Sequence, residues 1–517
     1  MKKILALIVL VALVMTQLSI AHCMENPKIK LGNEVLLSKY HHLIKGKKIG
    51  LVTNQSGVDS QGRSIIDILA DDKTIQLTAL YSPEHGIDGI VQAGKGVDSF
   101  VHAKLGIPVH SLYGPTRMPT EEMLSNVDLL LFDMQDIGAR TYTYMSTLNY
   151  CMVAAQKYQK PIIVLDRPNP LGGVIVEGPV LETYYQTFVG VDNLPMAHGM
   201  TAGELAQFFN RNIGAALTVV PMEGYKRRMI FQDTGLKWVK TSPNIPDIDS
   251  LFGYMATGLG EGTGIGQADQ FKWIGGKGLD SKKYADLLNG AGLAGVNFIP
   301  ETRADRGGVR LNIFDYHAFN PARTGIYALT YAFSLGNFTV PKSGSTKQTM
   351  VMFDKVMGTN KIGLYLEQGL TPQQIEKNYT PALNRFKEER KKYLIPDYDV
   401  RPGDIAVLVD SIEVSFDSAP FIDQNNRLMV PLRAIAEALG AQVQWNSAAR
   451  SITISRQGKT IFLKVDSKEA LVNGETKLMD TTPVIKNSRT MVPVRYVGEF
   501  LDSKVNWNPH TQVVSIY

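Results

Sequence analysis

The chain has 517 residues, which is too many for a single hydrophobic core, so we expect several domains. Hydrophobic residues make up 44% of it and charged residues 20%, as is ordinary for a water-soluble globular protein. A formal net charge of +5 is small for this length and argues against a nucleic-acid-binding protein, in which Lys and Arg would concentrate on one face. With only two cysteines, its stability should come from packing rather than from disulfide bonds.

The first residues have the pattern of a secretion signal. A positively charged start precedes an apolar run at 4–18, and small residues follow it. The run is too short to span a membrane comfortably, and we expect no transmembrane segment in the mature chain. Residues 1–21 should therefore be a signal peptide, and the mature protein should be secreted. Cys23 allows the alternative of a lipoprotein, although His22 stands where a lipidation signal has a small residue.

Residues 47–170 alternate between short apolar runs and amphipathic stretches. The runs are rich in β-branched residues and end in polar or glycine-bearing turns, as strands do, and the stretches between them have helical periodicity. Strands are predicted at 48–54, 75–82, 127–133 and 162–166, and helices at 64–70 and 147–158. Strands separated by crossover helices form a parallel sheet covered on both faces, so the sequence predicts an open Rossmann-like α/β domain.

Charged or amide side chains follow each of these predicted strands. They are Asn54 after the first strand, Glu84 and His85 after the second, Asp136 and Arg140 after the third, and Asp166, Arg167 and Asn169 after the fourth. In open parallel sheets, ligands bind beyond the carboxyl ends of the strands. Polar residues at four strand ends are more than solubility requires, so we expect the functional site at this edge of the sheet.

The rhythm changes after this first domain, which we place at 24–225. Residues 226–398 contain a glycine-rich stretch at 258–278, a predicted strand at 308–313 and a predicted helix at 371–393. This pattern predicts a second, auxiliary α/β domain that completes a cleft with the first.

A third part, residues 399–517, follows a linker rich in Pro and Gly and contains an internal repeat. The run RLMVPLR at 427–433 is echoed by RTMVPVR at 489–495, and each copy continues through a short helix to a Trp, Trp445 or Trp507. Matching offsets at this many positions predict a duplicated α+β unit, in which the repeated Trp and Arg residues are structural.

Several chemistries find no support in the sequence. It contains no HExxH, CxxC or GxSxG motif and its nine histidines are scattered, so we expect no metal site. The glycines at 258–266 do not fit GxGxxG, so we expect no dinucleotide and no other cofactor. Carboxylates remain, and they suit cleavage of a glycosidic bond. One carboxyl group protonates the leaving oxygen. A second carboxyl group acts as nucleophile, activates water or stabilises the oxocarbenium-like charge, and in some N-acetyl sugar hydrolases the acetamide of the substrate replaces the protein nucleophile.

Glu84 fits the role of proton donor best, because it directly follows the predicted strand at 75–82 and a proline restrains it. His85 is better suited to be its hydrogen-bonding partner. Glu177 and Glu261 are further catalytic candidates, since both lie beside glycines that allow close approach of the backbone. The alternative for Glu84 is a salt-bridged surface glutamate in a turn.

The remaining strand-end residues are candidates for substrate binding. Prolines stiffen the turn at 166–170, whose polar groups could hold sugar hydroxyls, and whose arginine fork suits a carboxylate. Asp136 and Arg140 could serve the same purpose or form a local ion pair. Tyr142 could stack on a sugar or simply pack in the core.

A series of motifs resembles the exo-β-N-acetylmuramidase (NamZ) family, in the order of that family, over about residues 30–398. They are SPEHG (82–86), LFDMQDIGARTYTY (131–144), LDRPNPLGG (165–173), VEGP (176–179), AHGMT (197–201), SPNIP (242–246), GEGT (260–263) and RKKYL (390–394).

This resemblance implies a Rossmann-like catalytic domain with an auxiliary domain. It implies release of N-acetylmuramic acid from the non-reducing end of peptidoglycan glycan fragments, with MurNAc–GlcNAc as substrate, in cell-wall turnover. Glu84 would be the catalytic residue, and the shared motifs add His198 and Asn244 to the substrate-binding candidates. The lactyl carboxylate of the substrate would be a partner for Arg140 or Arg167.

The chain departs from the family pattern at 264–271, where GIGQADQF replaces a stretch that usually contains an arginine. This departure bears on substrate preference and on activity itself. A non-catalytic protein that binds wall glycan on the same scaffold is therefore the alternative function. A nucleotide-dependent enzyme is a third possibility, which the absence of a dinucleotide motif disfavours.

The duplicated C-terminal unit resembles the copper amine oxidase N-terminal-like stalk domain of exported proteins. The sequence has no His-x-His pair, so neither copper binding nor oxidation is implied. We expect a spacer through which the protein contacts the cell wall, and a cell-wall-associated location.

Overall fold

A computed structural model describes residues 29–399, 405–410, 412–508 and 512–517. The predicted signal peptide at 1–21 and the possible lipidation site Cys23 lie outside the described residues. Within the described ranges, none of the helices combines the length and the apolar character needed to cross a bilayer.

The first domain is built on a seven-stranded sheet with the spatial order β3-β4-β2-β1-β5-β6-β7. Its strands are β1 Lys48–Thr53, β2 Gln76–Ser82, β3 Phe100–Val101, β4 Pro108–Ser111, β5 Leu129–Asp133, β6 Ile162–Leu165 and β7 Leu217–Val220. All neighbours are parallel except β3, which runs antiparallel to β4. Without β3 this is the strand order of Rossmann folds, so the predicted fold class is confirmed. The order reverses at β1, between β2 and β5, which is where such sheets bind ligands.

Four helices accompany this sheet, at Gly32–Lys39 (α1), Ile65–Asp71 (α2), Tyr144–Lys157 (α3) and Ala202–Ile213 (α4). Strands β5 and β6 are buried along their whole length, as expected for strands covered on both faces. The sequence fixes the ends of α4 clearly. Thr201 and Glu204 form a reciprocal capping box at its start, and Gly214 ends it in the left-handed conformation with φ 70°.

The second domain contains a four-stranded antiparallel sheet of order β10-β11-β9-β8. Its elements are α5 Ile248–Thr257, β8 Ile265–Ala268, β9 Trp273–Lys277, α6 Ser281–Asn289, β10 Val296–Pro300, β11 Arg306–Ile313, α7 Pro321–Leu335, α8 Met352–Met357, α9 Lys361–Glu367 and α10 Pro372–Arg390. The strand predicted at 308–313 corresponds to β11, and the helix predicted at 371–393 to α10. Only α6 lies between strands of this sheet in the sequence, and α7 to α10 come after the last strand.

One hydrophobic core runs through both domains. It includes Phe132 and Phe208 from the first domain and Phe252, Tyr327 and Phe386 from the second, all essentially buried. Residues from both domains are therefore held in fixed positions relative to one another.

The C-terminal module has a core of its own, separate from that of the two domains. Its elements are β12 Ala406–Val409, β13 Ile412–Glu413, β14 Phe421–Ile422, β15 Leu428–Pro431, α11 Leu432–Ala438, β16 Gln442–Asn446, β17 Ser451–Arg456, β18 Lys459–Lys464, β19 Glu469–Val472, β20 Glu475–Leu478, β21 Val484–Lys486, β22 Arg489–Pro493, α12 Val494–Phe500, β23 Val505–Asn508 and β24 Val513–Ile516. Val430 of β15 pairs with Val492 of β22. These are equivalent positions of the two repeats, so an internal two-fold pseudo-axis passes through this pair and the predicted duplication is visible in the fold.

The segment that precedes the module is clamped onto the first domain by buried charges. Arg227 Nη1 lies 2.9 Å from Glu204 Oε1, and its Nε lies 2.7 Å from Asp399. The hydroxyl of Tyr398 donates to Asp166 over 2.7 Å, and the Ile395 N–H donates to Glu204. The end of the second domain is thereby fixed at the carboxyl edge of the first sheet.

Substitution Arg227→Ala should destabilise the two-domain part strongly, because it leaves the fully buried Glu204 carboxylate without its cation. We expect a loss of about 3–5 kcal/mol in the free energy of unfolding, measured by urea denaturation. Lys282→Ala is the matched control, since Lys282 pairs with Asp286 on the exposed surface and its loss should leave the free energy of unfolding almost unchanged. Equal and small effects of the two substitutions would contradict this description of the clamp.

Candidate active site

Glu84 lies in the turn that follows β2, beside the point where the strand order reverses. The side chain is 8% exposed, and both carboxylate oxygens accept hydrogen bonds. The Gly94 N–H donates to Oε1 over 2.8 Å, and the Thr143 hydroxyl donates to Oε2 over 2.6 Å. Glu84 is therefore held in one orientation, and no ion pair to it is formed within the described residues.

His85 shapes the turn that carries Glu84. Its φ of 72° lies in the left-handed region, where a residue other than Gly needs support from its surroundings. That support comes from the loop that follows, because Nδ1 lies 2.6 Å from the Val91 carbonyl oxygen and the Val91 N–H donates to the His85 carbonyl. A carbonyl oxygen can only accept, so Nδ1 carries a proton. The structure thus gives His85 a positioning role.

Thr143 connects this turn to the helix that follows β5. It is the residue before α3, and its side chain makes no cap hydrogen bond to that helix. Its hydroxyl bonds to Glu84 instead. A hydroxyl can donate or accept, whereas the Gly94 N–H can only donate. A protonated Glu84 would therefore carry its proton on Oε2, facing Thr143.

Aromatic side chains extend from this site towards the second domain. The rings of Tyr142 and Tyr144 are 4.8 Å apart, and Tyr142 is 6.0 Å from Tyr254 of α5. Burial, together with the carboxylates of Glu84, Glu261 and Asp136, raises the pKa of Tyr254 to about 12. The structure thus brings these three predicted residues around one phenol, and residues of both domains form the site.

Glu261 reaches this region from the glycine-rich loop of the second domain. It is exposed, and it lines a cavity of about 290 Å³ together with glycines of the loop and Arg306. Arg306 Nη2 donates to the carbonyl oxygens of Gly266 and Gly275. This cavity is next to the stretch at 264–271 in which the sequence departs from the family pattern.

Asp136 and His198 form a second buried pair. Nε2 of His198 lies 3.6 Å from Asp136 Oδ2, and the Gly138 N–H donates to that same oxygen. The Met200 N–H donates to His198 Nδ1, so a neutral His198 carries its proton on Nε2, towards Asp136. The predicted ion pair between Asp136 and Arg140 is not formed.

Buried polar atoms without a hydrogen-bond partner among the described residues concentrate at this edge of the sheet. Eight of the fourteen such atoms lie here: Asn54 Nδ2, Gln55 Oε1, Ser82 Oγ, Arg117 Nη1, Asp136 Oδ1, Tyr142 OH, His198 Nε2 and Thr241 Oγ1. Buried polar groups in folded proteins nearly always have partners. A polar ligand with hydroxyl and amide groups would supply such partners, and an N-acetylated sugar has both.

The polar residues after β5 and β6 have structural partners instead. Arg167 Nε lies 2.5 Å from Asp133 Oδ1, and Nη2 of the same side chain donates to the Val58 carbonyl oxygen. Asp166 accepts from Gly203 N–H, Thr201 and Tyr398, and burial raises its pKa to about 7. Asn169 donates to the Met200 carbonyl oxygen and accepts from the Leu171 N–H. None of these contacts connects Asp166, Arg167 or Asn169 to Glu84.

Three other predicted residues also lie apart from Glu84. Arg140 donates to the carbonyl oxygens of residues 179, 194 and 356, and its burial lowers its pKa to about 9. Glu177 accepts from the Gly178 N–H and lies 3.5 Å from Asn320 Nδ2, at the boundary between the domains. Asn244 is half-buried in its loop, and its side chain has no hydrogen bond to the described residues.

Sequence reasoning missed several residues that contact Glu84 or lie close to it: Gly94, Tyr113, Arg117, Thr143, Thr241 and Tyr254. Thr143 lies inside the motif at 131–144, and its position just before a helix is the sequence signal that could have identified it. Tyr113 and Arg117 follow β4, a strand that was not predicted.

Comparisons with known proteins show the family to which the chain belongs. The N-terminal model of the family described as exo-beta-N-acetylmuramidase NamZ matches residues 49–249, and its C-terminal model matches residues 252–395. The copper amine oxidase N-terminal domain model matches residues 408–516, so the sequence resemblance of the module is confirmed.

Individual relatives cover the same region. The chain is 43% identical over 388 residues to the peptidoglycan beta-N-acetylmuramidase NamZ of Bacillus subtilis, an alignment that spans 72% of this chain and 92% of that protein. Two crystal structures of DUF1343 family proteins from Bacteroides fragilis are also similar, and each covers 71% of this chain. One has a TM-score of 0.64 and 34% identity over 99% of its own chain, and the other a TM-score of 0.54 and 27% identity over 98%. The chain therefore belongs to the exo-β-N-acetylmuramidase NamZ family and is a glycoside hydrolase.

Proposed function

We propose that the protein releases N-acetylmuramic acid from the non-reducing end of peptidoglycan fragments, with Glu84 as the proton donor. The observation that carries this proposal is the Glu84 carboxyl, buried at the switch point of the sheet and fixed by Gly94 and Thr143. Membership of the family gives the reaction class, and the surrounding polar atoms without partners fit a saccharide.

The hydrogen bonds to Glu84 fit an acid that gives up its proton. In the proposed reaction, the proton is first on Oε2, where it can form a hydrogen bond to the Thr143 hydroxyl. The proton then passes to the glycosidic oxygen of the leaving sugar as the bond to the anomeric carbon breaks. Afterwards the Thr143 hydroxyl and the Gly94 N–H both donate to the carboxylate, so the same contacts stabilise the product form.

The reaction also needs a group that stabilises or attacks the sugar cation. Asp136 and Glu261 are the carboxylate candidates for this role, because both of them, like Glu84, raise the pKa of Tyr254. The acetamide of the substrate is the other source of such a group. Glu177 is not assigned this role, because its carboxylate contacts Gly178 and Asn320 instead.

Glu84→Gln should reduce hydrolysis of a chromogenic N-acetylmuramide about 100-fold or more, because the amide cannot donate an acidic proton. Glu177→Gln is the matched control and should keep most of the wild-type rate, since the Glu177 carboxylate contacts Gly178 and Asn320 at the boundary between the domains. Full activity of the Glu84→Gln protein would overturn the assignment. A wild-type protein that binds the sugar without turnover would favour the alternative of a wall-glycan-binding protein.

Thr143→Val should lower kcat by about tenfold or more, because it removes a hydrogen bond to a charged group, a contact of about 1.5–3 kcal/mol. Thr143→Ser keeps the hydroxyl and should restore most of the rate. The comparison is made at equal folded concentration, checked by circular dichroism. Equal rates for the Val and Ser variants would show that the hydroxyl has no part in the reaction.

We further propose that the protein is secreted and that the C-terminal module contacts the cell wall. The repeat predicted a structural role for Trp445 and Trp507, but their exposure of 40% and 37% at equivalent positions of the two repeats supports wall contact instead. Exposed aromatic rings at repeated positions are suited to stacking on saccharides.

The double substitution Trp445→Ala and Trp507→Ala should abolish co-sedimentation of the full chain with purified cell walls. Hydrolysis of a soluble N-acetylmuramide should be unchanged, because the module has a separate core. Unaltered co-sedimentation would remove these two rings from the wall contact. Mass spectrometry of the exported protein would separate cleavage after Ala21 from a lipid on Cys23.

A further inference from the structure

Arg117 has an unusual environment in the loop that follows β4. Its guanidinium carbon lies 3.4 Å from the centroid of the Tyr113 ring and 4.9 Å from that of Phe188. The Thr116 hydroxyl donates to the Met118 carbonyl oxygen, and the Met118 N–H donates back to that hydroxyl, so the loop around Arg117 is ordered by its own hydrogen bonds. The cation is therefore held against aromatic surface rather than extended into solvent.

Arg117 is half-buried, and it differs from Arg140 and Arg390 in lacking a backbone acceptor. Arg140 and Arg390 also have no carboxylate close by, but each donates to backbone carbonyl oxygens. Nη1 of Arg117 is buried, and it has no hydrogen-bond partner among the described residues. A buried guanidinium N–H without an acceptor is costly, so the site is suited to a ligand that brings one.

Arg117 is close to the proposed acid through Tyr113. Burial and the neighbouring Glu84 carboxylate together raise the pKa of Tyr113 to about 12, and the Arg117 guanidinium opposes this shift. One phenol thus has the Glu84 carboxylate and the Arg117 cation as neighbours. A sugar whose glycosidic oxygen faces Glu84 would place a substituent elsewhere on its ring within reach of Arg117.

We infer that Arg117 binds the lactyl carboxylate of N-acetylmuramic acid and thereby determines the specificity of the enzyme for this sugar. The inference rests on the proposed function and names the residue that recognises the substrate. N-acetylmuramic acid differs from N-acetylglucosamine in the lactyl ether on O3, which carries a carboxylate. Sequence reasoning gave this role to Arg140 or Arg167. However, Arg140 donates to carbonyl oxygens, and Arg167 donates to Asp133 and to a carbonyl oxygen.

The geometry of the arginine suits a carboxylate. A guanidinium is planar, and its N–H groups project within that plane in a fork that matches two carboxylate oxygens. The aromatic rings cover the faces of the plane and leave the edge for hydrogen bonds. Tyr113 and Phe188 therefore orient the cation, and the buried Nη1 stays without a partner.

The test compares three chromogenic substrates with the same leaving group: the N-acetylmuramide, its lactyl methyl ester and the N-acetylglucosaminide. For the wild type, we expect kcat/KM for the acid to exceed that for the neutral ester by about 10- to 100-fold, the range of one hydrogen-bonded charge. In Arg117→Gln this ratio should fall to about one, mainly through a higher KM for the acid. Arg117→Lys keeps the charge but loses the fork, so it should give an intermediate ratio.

Arg450→Gln is the matched control, because it removes an arginine that pairs with Asp466 on the surface of the C-terminal module. Its ratio of acid to ester should equal that of the wild type. If Arg117 only supported the fold, its loss would slow all three substrates equally and leave the ratio intact. An unchanged ratio in a folded Arg117→Gln protein would therefore overturn the inference.

Failure of the proposed function has a different signature. A wild-type protein that hydrolyses none of the three substrates would refute the hydrolase proposal and leave the binding question measurable. Calorimetry with free N-acetylmuramic acid then decides the inference separately. Binding by the wild type that is lost in Arg117→Gln would support it, and equal binding by both proteins would reject it.

Discussion

The buried ion pair between Asp133 and Arg167 determines how the polar edge of the sheet is used. Both side chains are almost completely buried, so neither charge is tolerable without the other. Together with Asp166, whose carboxylate is surrounded by donors, this pair occupies the ends of β5 and β6. The polar groups that remain without partners cluster instead after β1, after β2 and in the loop that leads to α3. The site thus lies where polar groups lack partners, because the polar groups at the ends of β5 and β6 are already paired within the protein.

Sequence patterns predicted the parts of the fold that have strong hydrophobic signals. Strands β1, β2, β5 and β6 are buried runs, and their order along the chain was sufficient for the Rossmann-like assignment. Strand β4, Pro108–Ser111, was missed because it is only four residues long and Val109 is its one aliphatic residue. Its loss hid Arg117, since a residue cannot be assigned to a strand end when the strand itself is not recognised.

The position of Glu84 could be predicted because strand, turn and acid are contiguous in the chain. The roles of the arginines could not be predicted in this way. Arg140 donates to the Val356 carbonyl oxygen, 216 residues away in sequence, and Arg167 pairs with Asp133, 34 residues away. Whether an arginine is satisfied by the protein or available to a ligand depends on such distant contacts. Local motifs point to Arg140 and Arg167 and not to Arg117, and only packing shows which of the three is available to a ligand.

The shared core also explains why the site needs both domains. Glu84 and Thr143 belong to the first domain, whereas Tyr254 and Glu261 belong to the second, and the family models divide the chain between residues 249 and 252. A flexible hinge at that boundary would separate the acid from part of its surroundings. The continuous core and the contacts of Arg227 and Glu204 with the end of the second domain prevent such a motion, because opening would expose apolar surface and break the bonds from Arg227 to Asp399 and from the Ile395 N–H to Glu204. The C-terminal module, with its own core, is free of this constraint, so a duplicated unit can follow the enzyme without altering the geometry around Glu84.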